Sequence, residues 1–211
     1  MTDYNLPDIQ LLENKTKPFL IWIPDKTYIV LGASNRADEA LFLERVLLDG
    51  ITVLKRPSGG QTVMLTPDNL IISVVYSNPK ELQPKDVFLK TNRLIISALE
   101  KAGIQDLSLR GISDIAIDGK KILGSSIYRN KDSLLYHAVL NLAEPASTFE
   151  KYLKHPTKEP DYRQGRKHTD FVTSLKEKGY TPDYHQLTNL IMQSMEEASL
   201  THISTNDPTN K

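Results

Sequence analysis

The sequence predicts an α+β fold, with a mostly antiparallel or mixed sheet and flanking helices. Three observations carry that expectation. Short, β-branched apolar runs of strand length recur along the chain, and two longer segments repeat apolar residues at helical spacing. The two kinds of segment are also mixed without a regular βαβ alternation. A chain of 211 residues suits one domain, and at that size folding hides roughly 70% of the unfolded surface.

The first third reads as helix, strand, strand, helix, strand. PFLIWIP and TYIVLG are the first two strands, and Pro24-Asp25-Lys26 between them is a hairpin signal. Asn35 opens a helix over RADEALFLERVLLDG, with acids in its first turn and Gly50 at the C-terminal cap position. ITVLK and LIISVVY are strands on either side of a glycine stretch. PKDVFLKTNRLIISALEKAG is the strongest helix: Pro84 starts it, Val87, Thr91, Leu94, Ile95, Ala98 and Ala102 share a face, and Gly103 ends it. GISDIAIDGKKILGSSIYRN and SLLYHAVLNL are strand-like, and Ser147 with Glu150 has the capping-box pattern of a short helix. Residues 155–170 are polar, basic and proline-broken, hence a loop; residues 183–200 form a last amphipathic helix and 201–211 a polar tail.

Composition excludes several classes. Lys plus Arg and Asp plus Glu are 26 each, so no bulk field draws the chain to nucleic acid or to an anionic membrane. There is no cysteine, which removes disulfides, thiolate metal sites and cysteine nucleophiles together. The N-terminus has neither a basic nor an apolar signal region, and no apolar run approaches the roughly 18 residues of a membrane span. Asn14-Lys15-Thr16 fits a glycosylation pattern that has no meaning without a secretion signal. The expected location is the cytoplasm.

Two stretches carry chemistry. In SDIAIDGKKILG, Asp118-Gly119 is a two-residue turn signal that pairs Ala116 with Lys121, Ile115 with Ile122 and Asp114 with Leu123. Asp114 then becomes the diagonal neighbour of Lys121 on one face, about 7 to 8 Å away along the backbone. A solvated ion pair is one reading. The other is a binding site, because Gly124-Ser125-Ser126 follow the lysine and small residues in a strand signal close approach by a ligand or another backbone. In KRPSGGQTVM the chain places Arg56 before Gly59-Gly60 without completing a Walker loop or a dinucleotide turn. A backbone nest for an anion and a plain hairpin turn both remain open for it.

Together, KRPSGGQTVMLTPDNLIISVV and GISDIAIDGKKILGSSIYRNKDSLLYHAVLNL resemble the two motifs of the lipoate–protein ligase A family, within the biotinyl/lipoyl protein ligase superfamily. The likeness runs from about PFLIW to EKYL. It implies the catalytic fold of those ligases over residues 1–200, without a C-terminal accessory domain; a separate partner subunit supplies it, or the chain is a stripped-down version. It implies activation of lipoate by ATP and Mg²⁺ to lipoyl-adenylate, then transfer to one lysine of an acceptor domain in a 2-oxoacid dehydrogenase E2 or a glycine cleavage H protein. By the same resemblance, Arg56 and the run Ser58, Gly59, Gly60, Gln61, Thr62, Val63, Met64 contact nucleotide. Lys121 contacts the acyl carbonyl and phosphate, Asp114 sits near magnesium and phosphate, and His137 matches the family's histidine pair. The pattern departs at Gln61, Thr66-Pro67, Ser113, Tyr136 and Ala138. The charges suit the chemistry, since two anions must meet to make a mixed anhydride; an ammonium about 4 Å from phosphate is worth roughly 4 kcal/mol at an effective dielectric of 20. His137 on a strand also fits a hydrogen-bonded core residue. The basic loop with Arg163, Arg166, Lys167 and His168 fits either a docking segment or a solvated one. An octanoyl or lipoyl transferase, and a non-catalytic paralogue that binds a lipoyl domain or nucleotide, are the alternatives; absent cysteine speaks against the first.

Overall fold

A computed structural model of the chain describes residues 2–13 and 18–204. The Asn14-Lys15-Thr16 tripeptide and tail residues 205–211 therefore lie outside the described residues. In chain order the elements are β1 (Thr2–Asp3), α1 (Gln10–Glu13), β2 (Phe19–Trp22), β3 (Tyr28–Leu31), α2 (Ala37–Ala40), α3 (Leu43–Leu48), β4 (Thr52–Lys55), β5 (Val63–Leu65) and β6 (Asn69–Ser77). They continue with α4 (Pro84–Lys101), β7 (Leu107–Arg110), β8 (Asp114–Ile117), β9 (Lys120–Arg129), β10 (Ser133–Asn141), α5 (Ala146–Tyr152), α6 (His168–Phe171) and α7 (Tyr184–Ser204). Among the described residues no helix is long and apolar enough to cross a membrane.

Two sheets result, which bears out the α+β expectation. The larger has six strands in the order β2-β6-β10-β9-β8-β7, all antiparallel. The smaller, β1-β4-β3-β5, mixes parallel and antiparallel pairs. Period-two alternation gives the larger sheet its two roles. Leu70, Ile72 and Val74 of β6 and Leu134, Tyr136, Ala138 and Leu140 of β10 join the main core with α4 and α7. The intervening Ile71, His137, Val139 and Asn141 face the other way and border a cavity between the sheets. The predicted stripe of α4 is buried at Val87, Thr91, Ile95 and Ala98, joined by Asn92 and Leu99.

Tertiary pairing overrides local signals at four places. The Pro24-Asp25-Lys26 turn makes no hairpin: β2 pairs with β6 of one sheet, whereas β3 pairs with β4 and β5 of the other. The helix expected after Asn35 is split into α2 and α3, because Leu41 leaves helical geometry to bridge Leu153 and points into a second core with Ile29, Leu31 and Val46. Asn35 itself does not cap; its Oδ1 accepts from the Gly32 N–H at 3.1 Å and the Thr62 hydroxyl at 3.1 Å. Pro145, in extended conformation, sets the entry to α5, so Ser147 lies inside the helix and no side chain caps it.

Candidate active site

A cavity of about 940 Å³ lies between the sheets, bordered on one side by Gly60–Leu65 and on the other by Asp114, Lys121 and Gly124–Ser126. The two stretches singled out in the sequence therefore converge on one space. The β8–β9 turn has the expected left-handed pair, Asp118 at φ 49° and Gly119 at φ 69°. Ala116 faces Lys121 as expected, but a bulge follows: Ile115 pairs with Leu123 and Asp114 with Gly124. The inserted residue turns both Ile122 and Leu123 into the main core, correcting the expected pairing of Ile115 with Ile122 and of Asp114 with Leu123. Lys121 Nζ lies 2.9 Å from Asp114 Oδ1, with Asp114 nearly buried and Lys121 partly exposed.

What Gly124 makes room for is the lysine itself. A Cβ at that position would stand 2.4 Å from Lys121 Nζ. The Lys121 main chain is fixed from behind by a bridge to Val172, and its carbonyl accepts from the Thr173 N–H at 2.9 Å. The second oxygen of Asp114 accepts the Tyr162 hydroxyl at 2.8 Å, which anchors the 155–170 loop over the pair.

The opposite wall is braced through Arg56. This side chain borders the cavity, and its buried guanidinium bonds to main chain. Nη1 donates to the Val30 carbonyl at 3.1 Å, and Nη2 to those of Gly59 and Gln61 at 2.9 and 2.8 Å. Nε is buried without a hydrogen-bond partner among the described residues. Burial lowers the Arg56 pKa to about 10, still cationic at neutral pH. The loop is pinned further by the Ala33 N–H on the Ser58 carbonyl at 2.9 Å. Gly60 takes φ 90°, which supplies the reason for a glycine there, and its carbonyl packs against Gly32.

Ser58, His137 and Asp8 form a buried hydrogen-bonded chain. Ser58 Oγ is 2.8 Å from His137 Nε2, and His137 Nδ1 is 3.4 Å from Asp8 Oδ2. A carboxylate only accepts, so Nδ1 carries the proton toward Asp8. Tyr4 donates to Asp8 at 2.7 Å and Ser73 at 3.0 Å. His137, Tyr4 and Asp8 border the cavity, whereas Ser58 does not. Ser58 is thus a brace rather than an exposed nucleophile. Burial pushes the Asp8 carboxyl up, but the hydrogen bond and charge of His137, with the Tyr4 and Ser73 hydroxyls, outweigh it and hold the group below its ordinary 3.8. A depressed folded pKa stabilises the fold fully above the unfolded value and loses that contribution as pH falls through the folded one. Asp8→Asn is accordingly expected to cost about 1–3 kcal/mol at neutral pH and to flatten the loss of stability as pH falls below the ordinary carboxylate range, as read by urea unfolding. An equally steep acid limb in the variant would assign acid sensitivity to other groups.

The remaining sequence-predicted residues divide. Gln61, Thr62, Val63 and Met64 border the cavity; Gly59 has open space where a Cβ would stand. Tyr136 points to the helix side, where its hydroxyl donates to Asn92 at 2.6 Å. In the basic loop, Arg163 and Arg166 turn inward and stack on Phe171, their guanidinium carbons 4.8 and 5.3 Å from the ring centroid. His168 is half-buried, and that desolvation, with the positive charge of Arg163, lowers its pKa to about 4 and leaves it neutral at pH 7. No cluster of three acids or histidines able to hold a metal exists among the described residues. Asp114 alone fits a magnesium ion that arrives on nucleotide phosphates, the usual mode for that ion, and does not fit a protein-only cage.

Tyr4, Asp8, Gly32, Asn35 and Tyr162 were not anticipated. Gly32-Ala33-Ser34-Asn35 after a strand was a signal for Gly32 and Asn35; nothing local marked the others.

The comparisons with known proteins agree with this geometry. The Lipoyl protein ligase A/B catalytic domain family matches residues 8–201. The chain is 27% identical over 125 residues to the probable lipoate-protein ligase A of Mycoplasma pneumoniae, covering 59% of this chain and 36% of that protein. It is 28% identical over 162 residues to the lipoate-protein ligase A of Psychrobacter cryohalolentis, covering 74% and 45%. It therefore spans less than half the length of these two relatives. Among solved structures, the bi-partite lipoate protein ligase of Thermoplasma acidophilum, studied with its E2 lipoyl domain, superposes with a TM-score of 0.73 at 20% identity, covering 85% of this chain and 69% of that one. A lipoate-protein ligase A bound with ATP superposes at 0.68 with 20% identity, covering 82% and 68%. With the family match running through nearly all the described residues, and with the two sheets, the glycine loop and the lysine hairpin in place, the chain belongs to the lipoyl protein ligase A/B catalytic domain family.

Proposed function

We propose that this chain is the catalytic unit of a cytoplasmic lipoate–protein ligase. The observation that carries the reading is the convergence of the Lys121 ammonium and the Gly60–Met64 segment on one cavity whose walls also include Val30, Leu65, Ile71 and Val139. The apolar walls suit an acyl chain, and the ammonium suits its carboxylate and the phosphate that activates it. Lipoate carboxylate oxygen attacks the α-phosphorus of ATP and pyrophosphate leaves. The amine of an acceptor lysine then attacks the acyl carbonyl, forms the amide, loses a proton and expels AMP. Lys121 lowers the repulsion between the two anions and the charge that builds at phosphorus. Asp114 fixes the direction of Lys121, and Tyr162 holds Asp114. The Arg56 brace and Gly60 shape main chain against the bound nucleotide, while His137 presents a fixed polar edge to the cavity. Magnesium carried on the phosphates would supply further charge neutralisation beside Asp114.

The acceptor in this reading is a lipoyl domain of a 2-oxoacid dehydrogenase E2 or a glycine cleavage H protein. Residues 1–200 act as one catalytic domain in this reading. No cysteine is present to carry an acyl group, which disfavours the cysteine-dependent transferases. The test is pyrophosphate release with ATP, Mg²⁺ and lipoate, followed by transfer of labelled lipoate to an unmodified lipoyl domain. Both are expected, and both should stop when ATP is omitted. Transfer from an octanoyl carrier without ATP would favour a transferase. Acceptor binding with no pyrophosphate release would favour a binding paralogue.

A further inference from the structure

Six large apolar side chains are exposed among the described residues, and four of them, Phe42, Leu43, Leu47 and Leu48, are clustered at α3. Leu47 and Leu48 are 77% and 85% exposed, although Val46 between Leu43 and Leu47 is 1% exposed and anchors the helix in the second core. The helix is therefore held firmly while it presents leucine to solvent, an arrangement that marks an interaction surface more often than a packing accident.

The patch adjoins the wall of the cavity. Lys154 borders the cavity, and its Nζ stands 5.9 Å from the centroid of the Phe42 ring. Its main-chain N–H bonds to the carbonyl of Ala40, another residue of the cavity wall, at 2.8 Å. Arg45 covers the same ring at 4.6 Å. Both cations reach carbonyl oxygens, Arg45 that of Lys151 and Lys154 that of Asp38, and neither forms an ion pair among the described residues. Lys151 beside them is already paired with Asp49 at 2.7 Å. A leucine patch flanked by two cations without carboxylate partners complements a surface with an apolar centre and carboxylates beside it.

Resting on the ligase reading above, we propose that α3 with Phe42, Arg45 and Lys154 is the docking surface for the acceptor domain. A lysine side chain extends its amine only about 6 Å from its Cα. The acceptor's surface must therefore press on the protein beside the cavity while its lysine is inside, and Lys154 of the cavity wall adjoins the patch at Phe42. A helix of six residues offers too little area for the roughly 1,000 Å² that a stable dimer buries, but it suits a contact released at every turnover.

The test uses the full chain, the Leu47→Glu/Leu48→Glu double variant and an unmodified E2 lipoyl domain as probe. Isothermal titration should show the Kd for the lipoyl domain raised at least tenfold, about 1.4 kcal/mol. The acceptor KM should rise by the same factor, with pyrophosphate release from ATP and lipoate kept within twofold. Arg45→Glu should weaken lipoyl-domain binding in the same assay. Unchanged Kd and KM in the double variant would overturn the proposal. So would a wild-type dimer that the double variant dissociates without loss of acceptor affinity, since a second copy would then own the patch. Absence of pyrophosphate release from the wild type would instead sink the ligase reading, and the titration would still decide the docking surface: lipoyl-domain binding lost in the double variant upholds it, and no binding by the wild type refutes it.

Discussion

Replacing Lys121 by alanine is expected to reduce adenylate formation by two to three orders of magnitude, measured as pyrophosphate release at saturating ATP and lipoate. The size follows from charge. At an effective dielectric of 20, an ammonium about 4 Å from phosphate is worth roughly 4 kcal/mol, and 1.36 kcal/mol is a factor of ten in rate. The variant also leaves Asp114, nearly buried, with only hydroxyl donors from Tyr162 and Ser113, so some loss of stability accompanies the loss of activity. Gly124→Ala separates the two effects. Its Cβ would collide with the mobile end of Lys121 rather than with backbone, so the ammonium is displaced while the fold persists. Melting should be nearly unchanged, and adenylation should fall, though less than in Lys121→Ala. If Lys121→Ala retained adenylation within threefold of wild type, the central charge of the site would lie elsewhere.

The Lys121–Asp114 pair was legible because a two-residue turn fixes register over its own few residues, and both residues lie within that reach. The bulge was not, since it answers to the core: placing Ile122 and Leu123 together on the helix side serves packing that no local pattern encodes. The same distinction separates α4, whose periodicity matched its buried face, from the split of α2 and α3. There Leu41 obeys Leu153, a partner far along the chain. Asp8 is the extreme case. It is a buried carboxylate made tolerable by His137, 129 residues away, and by Tyr4 and Ser73. Nothing in the local sequence around Asp8 marks it for burial. Arg56 was legible as important from its place before two glycines; its bracing role was not, because most of its guanidinium satisfies carbonyls of a loop whose path the local sequence does not encode.

That brace leaves Gly32 no room for a side chain. A Cβ there would fall 2.0 Å from the Gly60 carbonyl oxygen and 3.0 Å from Asn35 Oδ1. Neither neighbour is free to yield. The carbonyls on either side of Gly60 are gripped by Arg56 Nη2, the Ser58 carbonyl is held by Ala33, and the Ser58 hydroxyl by His137. Asn35 Oδ1 is fixed by Gly32's own N–H and by Thr62. Overpacking typically costs 1–3 kcal/mol where side chains can shift; against immobilised backbone the cost should reach or exceed about 3 kcal/mol. For a domain of this size that is a fall of roughly 6–12 °C in Tm, read by calorimetry. The strain has one other outlet, expulsion of the Ser58–Thr62 segment from its seat. That route would spare Tm and abolish nucleotide binding instead, because the segment forms a wall of the cavity. Gly32→Ala should therefore fail in melting, in ATP binding, or in both. A variant within about 2 °C of wild type that also bound ATP normally would show that the glycine loop is neither braced nor part of the site in the way its hydrogen bonds describe.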